Sequence, residues 1–225
     1  MMDSEIFFDD IGPARAVWCG AMGEASDLAG VADAAVQNSV QLMSAAPEDV
    51  GTLWAWLERM PIKIYGRFYV PARGGRDERF VSDLTTRINS CFKKGAAGAQ
   101  IFLRAADLPA FADEIYAIRD DLFFNKDLVI GLDVSDIDAA SWGVVRDALR
   151  RVRATALTVV MTRDSGVRSD FVGRMYAMLT AWDGLNCDLH FAVGNNTLRI
   201  EQGMRLAQKI RPELACGLRA FITVG

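Results

Sequence analysis

Short apolar runs rich in β-branched residues alternate with longer amphipathic stretches along nearly the whole chain, and this alternation limits the fold more than any other feature. The runs recur about every 30 residues, which is the length of one strand-plus-helix unit. Eight runs are predicted to be strands: residues 16–23, 39–45, 62–70, 99–105, 127–134, 156–162, 188–194 and 219–224. Repeated strand-plus-helix units predict a parallel sheet.

The stretches between these runs have the spacing and the start signals of helices. Between residues 79 and 94, apolar side chains recur every four residues, as on the buried face of an amphipathic helix: Phe80, Leu84, Ile88 and Phe92. Residues 26–27 and 47–49 contain Ser, Asp and Pro, which accept bonds from free backbone N–H groups or pre-set the first helical turn. We therefore expect a helix after most of the strands.

Eight such units in 225 residues favour a closed (β/α)8 barrel, the TIM-barrel fold. The alternative is an open doubly wound sheet, which usually has five or six parallel strands at about this length. No linker divides the sequence, so residues 1–225 are predicted to form a single barrel domain.

The sequence has only Gly225 after the eighth strand, so the eighth helix is expected to be missing or replaced. Either the first fifteen residues or a second subunit would then cover the groove. The first fifteen residues contain four large apolar side chains suited to this: Ile6, Phe7, Phe8 and Ile11. We expect a homo-oligomer.

The overall charge limits the partners. A net charge of −4 and a pI near 5.1 argue against nucleic-acid binding, which normally needs a basic face. No run of about 18 uncharged apolar residues predicts a membrane span, and the first residues lack the basic region of an export signal. Four scattered cysteines indicate a reducing compartment. The predicted location is the cytoplasm.

Alternation within each strand predicts which side chains face the barrel interior, because the set facing the helices should be uniformly apolar. In the third strand, for example, Ile64 and Phe68 face the helices and Arg67 faces inward. The predicted interior is unusually polar. It contains Gln41, Met43, Lys63, Tyr65, Arg67, Tyr69, Gln100, Arg104, Asp133, His190 and Arg219.

Charges inside a barrel cost several kcal/mol each unless they pair, reach water or bind a ligand. Cations outnumber anions here, which predicts a small anionic ligand such as a phosphate or carboxylate. Three groups at strand starts are better explained by an internal ion-pair network: Lys63, His190 and Arg219. Arg67, Arg104 and Asp133 lie towards the carboxyl ends of neighbouring strands, where the chemistry of this fold is found.

Asp133 is the predicted general base, with Arg67 and Arg104 stabilising the anion and an enolate. This predicts a lyase or isomerase acting on a small phosphorylated or carboxylated metabolite. Gln100 and Tyr69 are predicted to bind the substrate. Lys63 is a further catalytic candidate, since it is the one inward-facing lysine and a Schiff base needs such a group, although aldolase-type barrels usually carry that lysine on a later strand.

No cofactor is predicted. Mg²⁺ held by Asp133 and Asp136 remains an alternative, but Asp136 and Asp138 are better explained as helix N-caps. Cys187 and His190 have a Cys-x-x-His spacing that a strand sends to opposite faces, which argues against structural zinc.

Two short segments resemble aldolase-type and phosphate-binding (β/α)8 barrels. Gly194-Asn195-Asn196-Thr197 follows the seventh strand and opens a helix, as the phosphate loop of those barrels does, and residues 94–100 are similar to their helix-to-strand joint. The resemblance implies that Gly194, Asn195 and Asn196 hold a phosphate at a helix N-terminus. The second hypothesis is a binding or regulatory barrel that keeps an anion pocket without turnover and works in an oligomer.

Overall fold

A computed structural model describes residues 15–19, 27–72, 79–134, 137–160, 171–192 and 197–224. Its strands are β1 (Arg15–Cys19), β2 (Leu42–Ala45), β3 (Lys63–Tyr69), β4 (Gly98–Arg104), β5 (Asp127–Asp133), β6 (Ala156–Val160), β7 (Asp188–Ala192) and β8 (Leu218–Val224). Its α-helices are α1 (Leu28–Gln37), α2 (Val50–Leu57), α3 (Phe80–Lys93), α4 (Leu108–Leu122), α5 (Trp142–Val152), α6 (Phe171–Ala181) and α7 (Thr197–Ile210).

Each strand pairs in parallel with the next one along the chain, and β8 pairs with β1, so the sheet closes on itself as a barrel. An α-helix lies between each pair of consecutive strands from β1 to β8. The predicted α/β architecture with a parallel sheet is confirmed. None of the described helices is long and apolar enough to cross a membrane.

Local sequence signals set several element boundaries. The Asp27 side chain accepts a bond of 3.1 Å from the Gly30 backbone N–H and so caps α1, as predicted. Just after α3, Gly95 has a φ of 101°, and a Cβ there would collide with the Trp54 ring. Only glycine tolerates this left-handed backbone against an aromatic ring, so the chain turns here towards β4.

Apolar side chains form two separate clusters, one on each side of the sheet. The outer cluster lies between strands and helices and includes Ile64, Phe68 and Ile101. The inner cluster lies within the barrel: Leu42, Tyr65, Phe102, Val129, Ala156, Ala192 and Phe221. The alternation predicted for β3 to β8 agrees with these clusters.

The interpretation of the second strand was wrong. Met43 packs in the outer cluster and Leu42 in the inner one, while Gln41 is exposed just before β2. Ser44 takes the buried polar position inside the barrel. Leu42 and Met43 are both apolar, so the contrast that assigns the faces of the other strands is missing here.

Candidate functional site

Three polar side chains predicted from the sequence stand together where β3, β4 and β5 end. Arg104 is the register partner of Asp133, and Tyr69 is that of Phe102. Alternate residues of a strand share a face, and Phe102 faces the interior, so Arg104 lies above it on the same side. These residues form the mouth of the barrel at the carboxyl ends of its strands.

Arg104 is a solvent-accessible cation of this mouth. It ends β4 and is exposed to solvent. Among the described residues, no hydrogen bond or ion pair engages its guanidinium group, although Asp133 is its neighbour on β5. A guanidinium presents five N–H donors in a fork that matches a carboxylate or phosphate. Arg104 can therefore receive an anion from solvent.

Arg67 lies inside the barrel, two residues before Tyr69 in β3, and so one inward-facing position below the mouth. Only 8% of its surface is exposed, and its Nη1 donates to the Ser44 carbonyl oxygen of β2 at 3.4 Å. Gln100 is its register partner on β4. A cation buried this deeply is costly unless hydrogen bonds or a counter-charge compensate it. Arg67 thus supplies a positive charge beneath Arg104.

The centre of the barrel beside Arg67 is also polar. Gln100 is fully buried, and its Nε2 donates to Thr158 Oγ1 at 3.4 Å. Thr158 Oγ1 in turn lies 3.5 Å from His190 Nδ1. Gln100 Oε1 and Ser44 Oγ find no partner among the described residues. Unpaired buried oxygens are uncommon in folded proteins, so this level of the barrel is suited to a polar contact.

His190 does not add to the positive charge of the interior. Burial lowers the pKa of its imidazole to about 3, and the nearby Arg219 cation acts in the same direction. Its ring stacks edge-on against Phe221 at 5.6 Å between centroids. His190 is therefore neutral at physiological pH, and the cations above it are arginines.

The segment that follows Asp133 is held by a helix whose role the sequence did not reveal. Arg174 of α6 donates through Nη1 to the carbonyl oxygens of Val134 at 3.1 Å and Ile137 at 2.7 Å. These bonds anchor the chain directly after the half-buried Asp133. Arg174 lies in an ordinary helical pattern, and only the three-dimensional structure shows that it reaches back to β5.

The capping interpretation of Asp138 is confirmed. Its Oδ1 accepts bonds from the Ser141 backbone N–H at 2.8 Å and from Ser141 Oγ at 2.9 Å. These bonds lower the pKa of the Asp138 carboxyl. Asp136, the partner in the magnesium alternative, lies outside the described residues. Within the ranges that the structure describes, no three His, Cys, Asp or Glu side chains are grouped to hold a metal.

Lys63 is placed at the other end of the barrel from Arg104 and Asp133. Its Nζ lies 2.9 Å from Asp127 Oδ2, and 61% of its side chain is exposed. Tyr65 Oη donates to the same carboxylate oxygen at 2.5 Å. These contacts match the ion-pair interpretation of Lys63. The hydrogen bonds from Tyr65 and Lys63 hold the pKa of the Asp127 carboxyl below its usual value despite its partial burial.

Sequence reasoning missed Asp127 as the partner of Lys63. The signal was present, because Asp127 opens β5 with the same alternation as Val129, which faces the interior. Gly194, Asn195 and Asn196, the predicted phosphate loop, lie outside the described residues. The helix expected after them does begin, at Thr197.

The parallel strands and the helices between them define the class of fold: the chain is an α/β barrel. No sequence model of a known family matches it, and no curated protein matches it in sequence. The fold is shared with solved structures at sequence identities of 10–12%, a level of likeness that establishes the architecture alone.

The deoxyribose phosphate aldolase of Aeropyrum pernix, a tetramer, has a TM-score of 0.69 at 12% identity, covering 98% of this chain and 93% of that one. A Coccidioides immitis protein assigned as a deoxyribose-phosphate aldolase has a TM-score of 0.68 at 10% identity, with 95% and 81% covered. A Streptococcus agalactiae protein assigned as the copper homeostasis protein CutC has a TM-score of 0.61 at 11% identity, with 93% and 97% covered.

Proposed function

We propose that this protein is a lyase or isomerase that acts on a small phosphorylated or carboxylated metabolite at the carboxyl-end mouth of its barrel. Asp133 is the general base, and Arg104 and Arg67 hold the anion. The observation that supports this proposal most strongly is the environment of Arg104. Its guanidinium is exposed and has no partner among the described residues, yet it stands beside Asp133 and above a second, buried arginine.

The chemistry follows from the charges. A carboxylate base removes a proton from the carbon next to a carbonyl, and negative charge then develops on the carbonyl oxygen as an enolate. A guanidinium placed beforehand stabilises this charge without reorganising in the transition state. Arg67 and Arg104 offer two such groups, so one can hold the substrate anion while the other stabilises the enolate.

A Schiff-base mechanism is not part of the proposal, because no lysine lies where it would be needed. The sequence has five lysines, and all five are among the described residues. Lys63 is ion-paired at the amino ends of the strands, and Lys126 donates to the Ala96 carbonyl oxygen at 2.7 Å. The other three lie at or next to the ends of helices: Lys93, Lys94 and Lys209.

The other predicted site residues are assigned to the same site. Tyr69 and Gln100 contact the substrate, and Gly194, Asn195 and Asn196 hold its phosphate before the start of α7. The reaction needs no cofactor, since a carboxylate and two guanidinium groups supply the base and the charge. We further propose a cytoplasmic protein of one domain that forms homo-oligomers, in line with the tetramer of the Aeropyrum pernix aldolase.

A thermal-shift screen tests the anion site. Inorganic phosphate, sugar phosphates and small keto acids are added to the wild type, to Arg104→Gln and to a matched control, Arg205→Gln. The Arg205 side chain is 77% exposed on α7, and within the described ranges its ion pair is with Glu201 of the same helix. We expect a ligand that raises the melting temperature of the wild type and of Arg205→Gln but not of Arg104→Gln.

Exchange of substrate protons for deuterium separates the enzyme from a binding barrel. With a stabilising keto acid or ketose phosphate, the wild type should exchange the proton next to the carbonyl, and Asp133→Asn should bind the ligand without exchange. Stabilisation without exchange in the wild type would favour the second hypothesis, an anion-binding or regulatory barrel.

A further inference from the structure

A cavity of about 600 Å³, here called the amino-face cavity, opens at the end of the barrel opposite the proposed anion site. Its lining includes the first residues of β3, β5, β6 and β7. Buried Tyr65 and His190 line its inner end. Its size is within the range of sites for small molecules, yet neither the proposed lyase nor the proposed isomerase chemistry uses this space.

The charged groups that line the amino-face cavity already compensate one another. Lys63 Nζ lies 2.9 Å from Asp127 Oδ2, and the Tyr65 hydroxyl donates to the same carboxylate oxygen. Burial raises the pKa of the Asp188 carboxyl, and the positive charge of Arg219 on the neighbouring strand opposes this shift. A charged ligand would therefore lose its hydration in this cavity without gaining a free counter-charge.

His190 offers the cavity an uncharged hydrogen-bonding atom. The residue is 3% exposed and lines the inner end of the cavity, and its Nδ1 faces Thr158 Oγ1 at 3.5 Å. Within the part of the chain that the structure describes, no hydrogen bond reaches its Nε2. Because burial lowers the pKa of the imidazole to about 3, the ring is neutral and Nε2 either donates or accepts one bond. A hydroxyl group both donates and accepts, so it satisfies either tautomer.

The apolar wall of the amino-face cavity continues into a groove of about 340 Å³ between α1 and α2. Val36 and Met60 line both spaces, and Trp56 lines the groove. These three side chains are 39%, 44% and 51% exposed. Contiguous apolar surface of this kind, unlike a single exposed side chain, is typical of binding sites. A hydrocarbon chain that leads from the cavity into the groove would cover it.

We propose that the amino-face cavity binds a neutral amphiphile, that is, a molecule with one hydroxyl head and a hydrocarbon chain. The hydroxyl group bonds to His190 Nε2 at the inner end, and the chain runs past Val36 and Met60 into the groove beside Trp56. This site lies at the other end of the barrel from the anion site and does not depend on the reaction proposed there.

Calorimetric titration with three probes of equal chain length tests the head group. At neutral pH, 1-octanol is uncharged, octanoate is an anion and octylammonium is a cation. We expect octanol to bind at least about tenfold more tightly than either ion, because only the ions lose the hydration of a charge on entering the cavity. Equal affinities for the three probes, tighter binding of an ion, or no binding of octanol would overturn the proposal.

A series of alcohols from 1-butanol to 1-octanol tests the placement of the chain. Affinity should rise about three- to fourfold for each CH₂ group, since each one covers part of the apolar wall. Trp56→Ala removes the far end of this wall and should weaken octanol about tenfold while leaving butanol unchanged. The matched control is Trp54→Ala, because Trp54 is 42% exposed on the same helix and lines neither space. Equal octanol binding by the two variants would contradict this placement.

His190→Phe tests the placement of the hydroxyl group, because it keeps a planar ring and removes Nε2. All the alcohols should bind about fivefold more weakly to this variant, with the same gain per CH₂ group as in the wild type. Arg104→Gln should bind octanol as the wild type does, which separates this site from the anion site. Octanol affinity unchanged in His190→Phe, or lost in Arg104→Gln, would contradict the assignment.

Discussion

Lys63 at the amino ends of the strands and Arg104 at the carboxyl ends differ in whether a counter-charge binds them. At the amino ends, Lys63 is held by Asp127, which Tyr65 also binds. At the carboxyl ends, Arg104 has no partner among the described residues although Asp133 stands beside it. Paired charges of the first kind stabilise a fold, while a cation left exposed beside a carboxylate is available to a ligand. This difference is the reason for proposing the anion site at the carboxyl ends.

The largest expected effect is on catalysis at the carboxyl ends. Asp133→Asn should lower the rate of proton exchange by about 10²- to 10⁴-fold, since it removes the general base and keeps the side-chain shape. Deuterium incorporation followed by NMR measures this rate. Loss of less than about tenfold would mean that another group is the base.

Because His190 is buried at the centre of the barrel, we expect the free energy of unfolding to decrease in acid. The pKa of His190 is lowered from 6.5 to about 3 on folding, so the unfolded chain binds a proton that the folded chain does not. Stability should therefore fall as the pH drops from about 6.5 towards 3, by up to about 1.4 kcal/mol per pH unit. Urea unfolding at several pH values measures this slope, and His190→Gln should reduce it.

A smaller effect is expected on stability at the amino ends. Asp127→Ala leaves the buried Tyr65 hydroxyl and the Lys63 ammonium without their shared acceptor, and should cost about 2 kcal/mol of unfolding free energy. The pKa of Asp127 is lowered in the fold, so its contribution is present above its ordinary pKa near 3.8 and is lost as the pH falls below that value. Anion binding at the other end should not change, and a loss of it would show that the two ends are coupled.

The smallest effect is expected for Lys63→Met. Because most of the Lys63 side chain is exposed, its ion pair should contribute only about 0.5–1 kcal/mol. Proton exchange by this variant should equal that of the wild type. If exchange were abolished while the fold stayed intact, Lys63 would be catalytic and the contrast between the two ends would be wrong.

The sequence predicts the strands and the polar interior well where neighbouring residues contrast strongly. In β3, the apolar Ile64 and Phe68 face outward and the charged Arg67 faces inward, and this contrast assigns the faces correctly. In β2, Leu42 and Met43 are both apolar, so the same reasoning assigned the wrong face. Alternation carries information only when adjacent side chains differ in polarity.

Contacts between distant strands could not be predicted. The bonds from Lys63 and Tyr65 to Asp127 join residues more than 60 positions apart, and they depend on the register of three strands. The bonds from Arg174 to the segment after β5 depend on how α6 packs. The charge and spacing of single residues do not contain this geometry.

Calorimetric titration of inorganic phosphate into the wild type, Arg104→Gln and Lys63→Gln tests the central claim most directly, because the two variants remove one cation from each end. We predict that Arg104→Gln loses binding by about tenfold or more, while Lys63→Gln binds phosphate as the wild type does. Equal binding by the wild type and Arg104→Gln, or a loss confined to Lys63→Gln, would contradict the assignment of the anion site to the carboxyl ends.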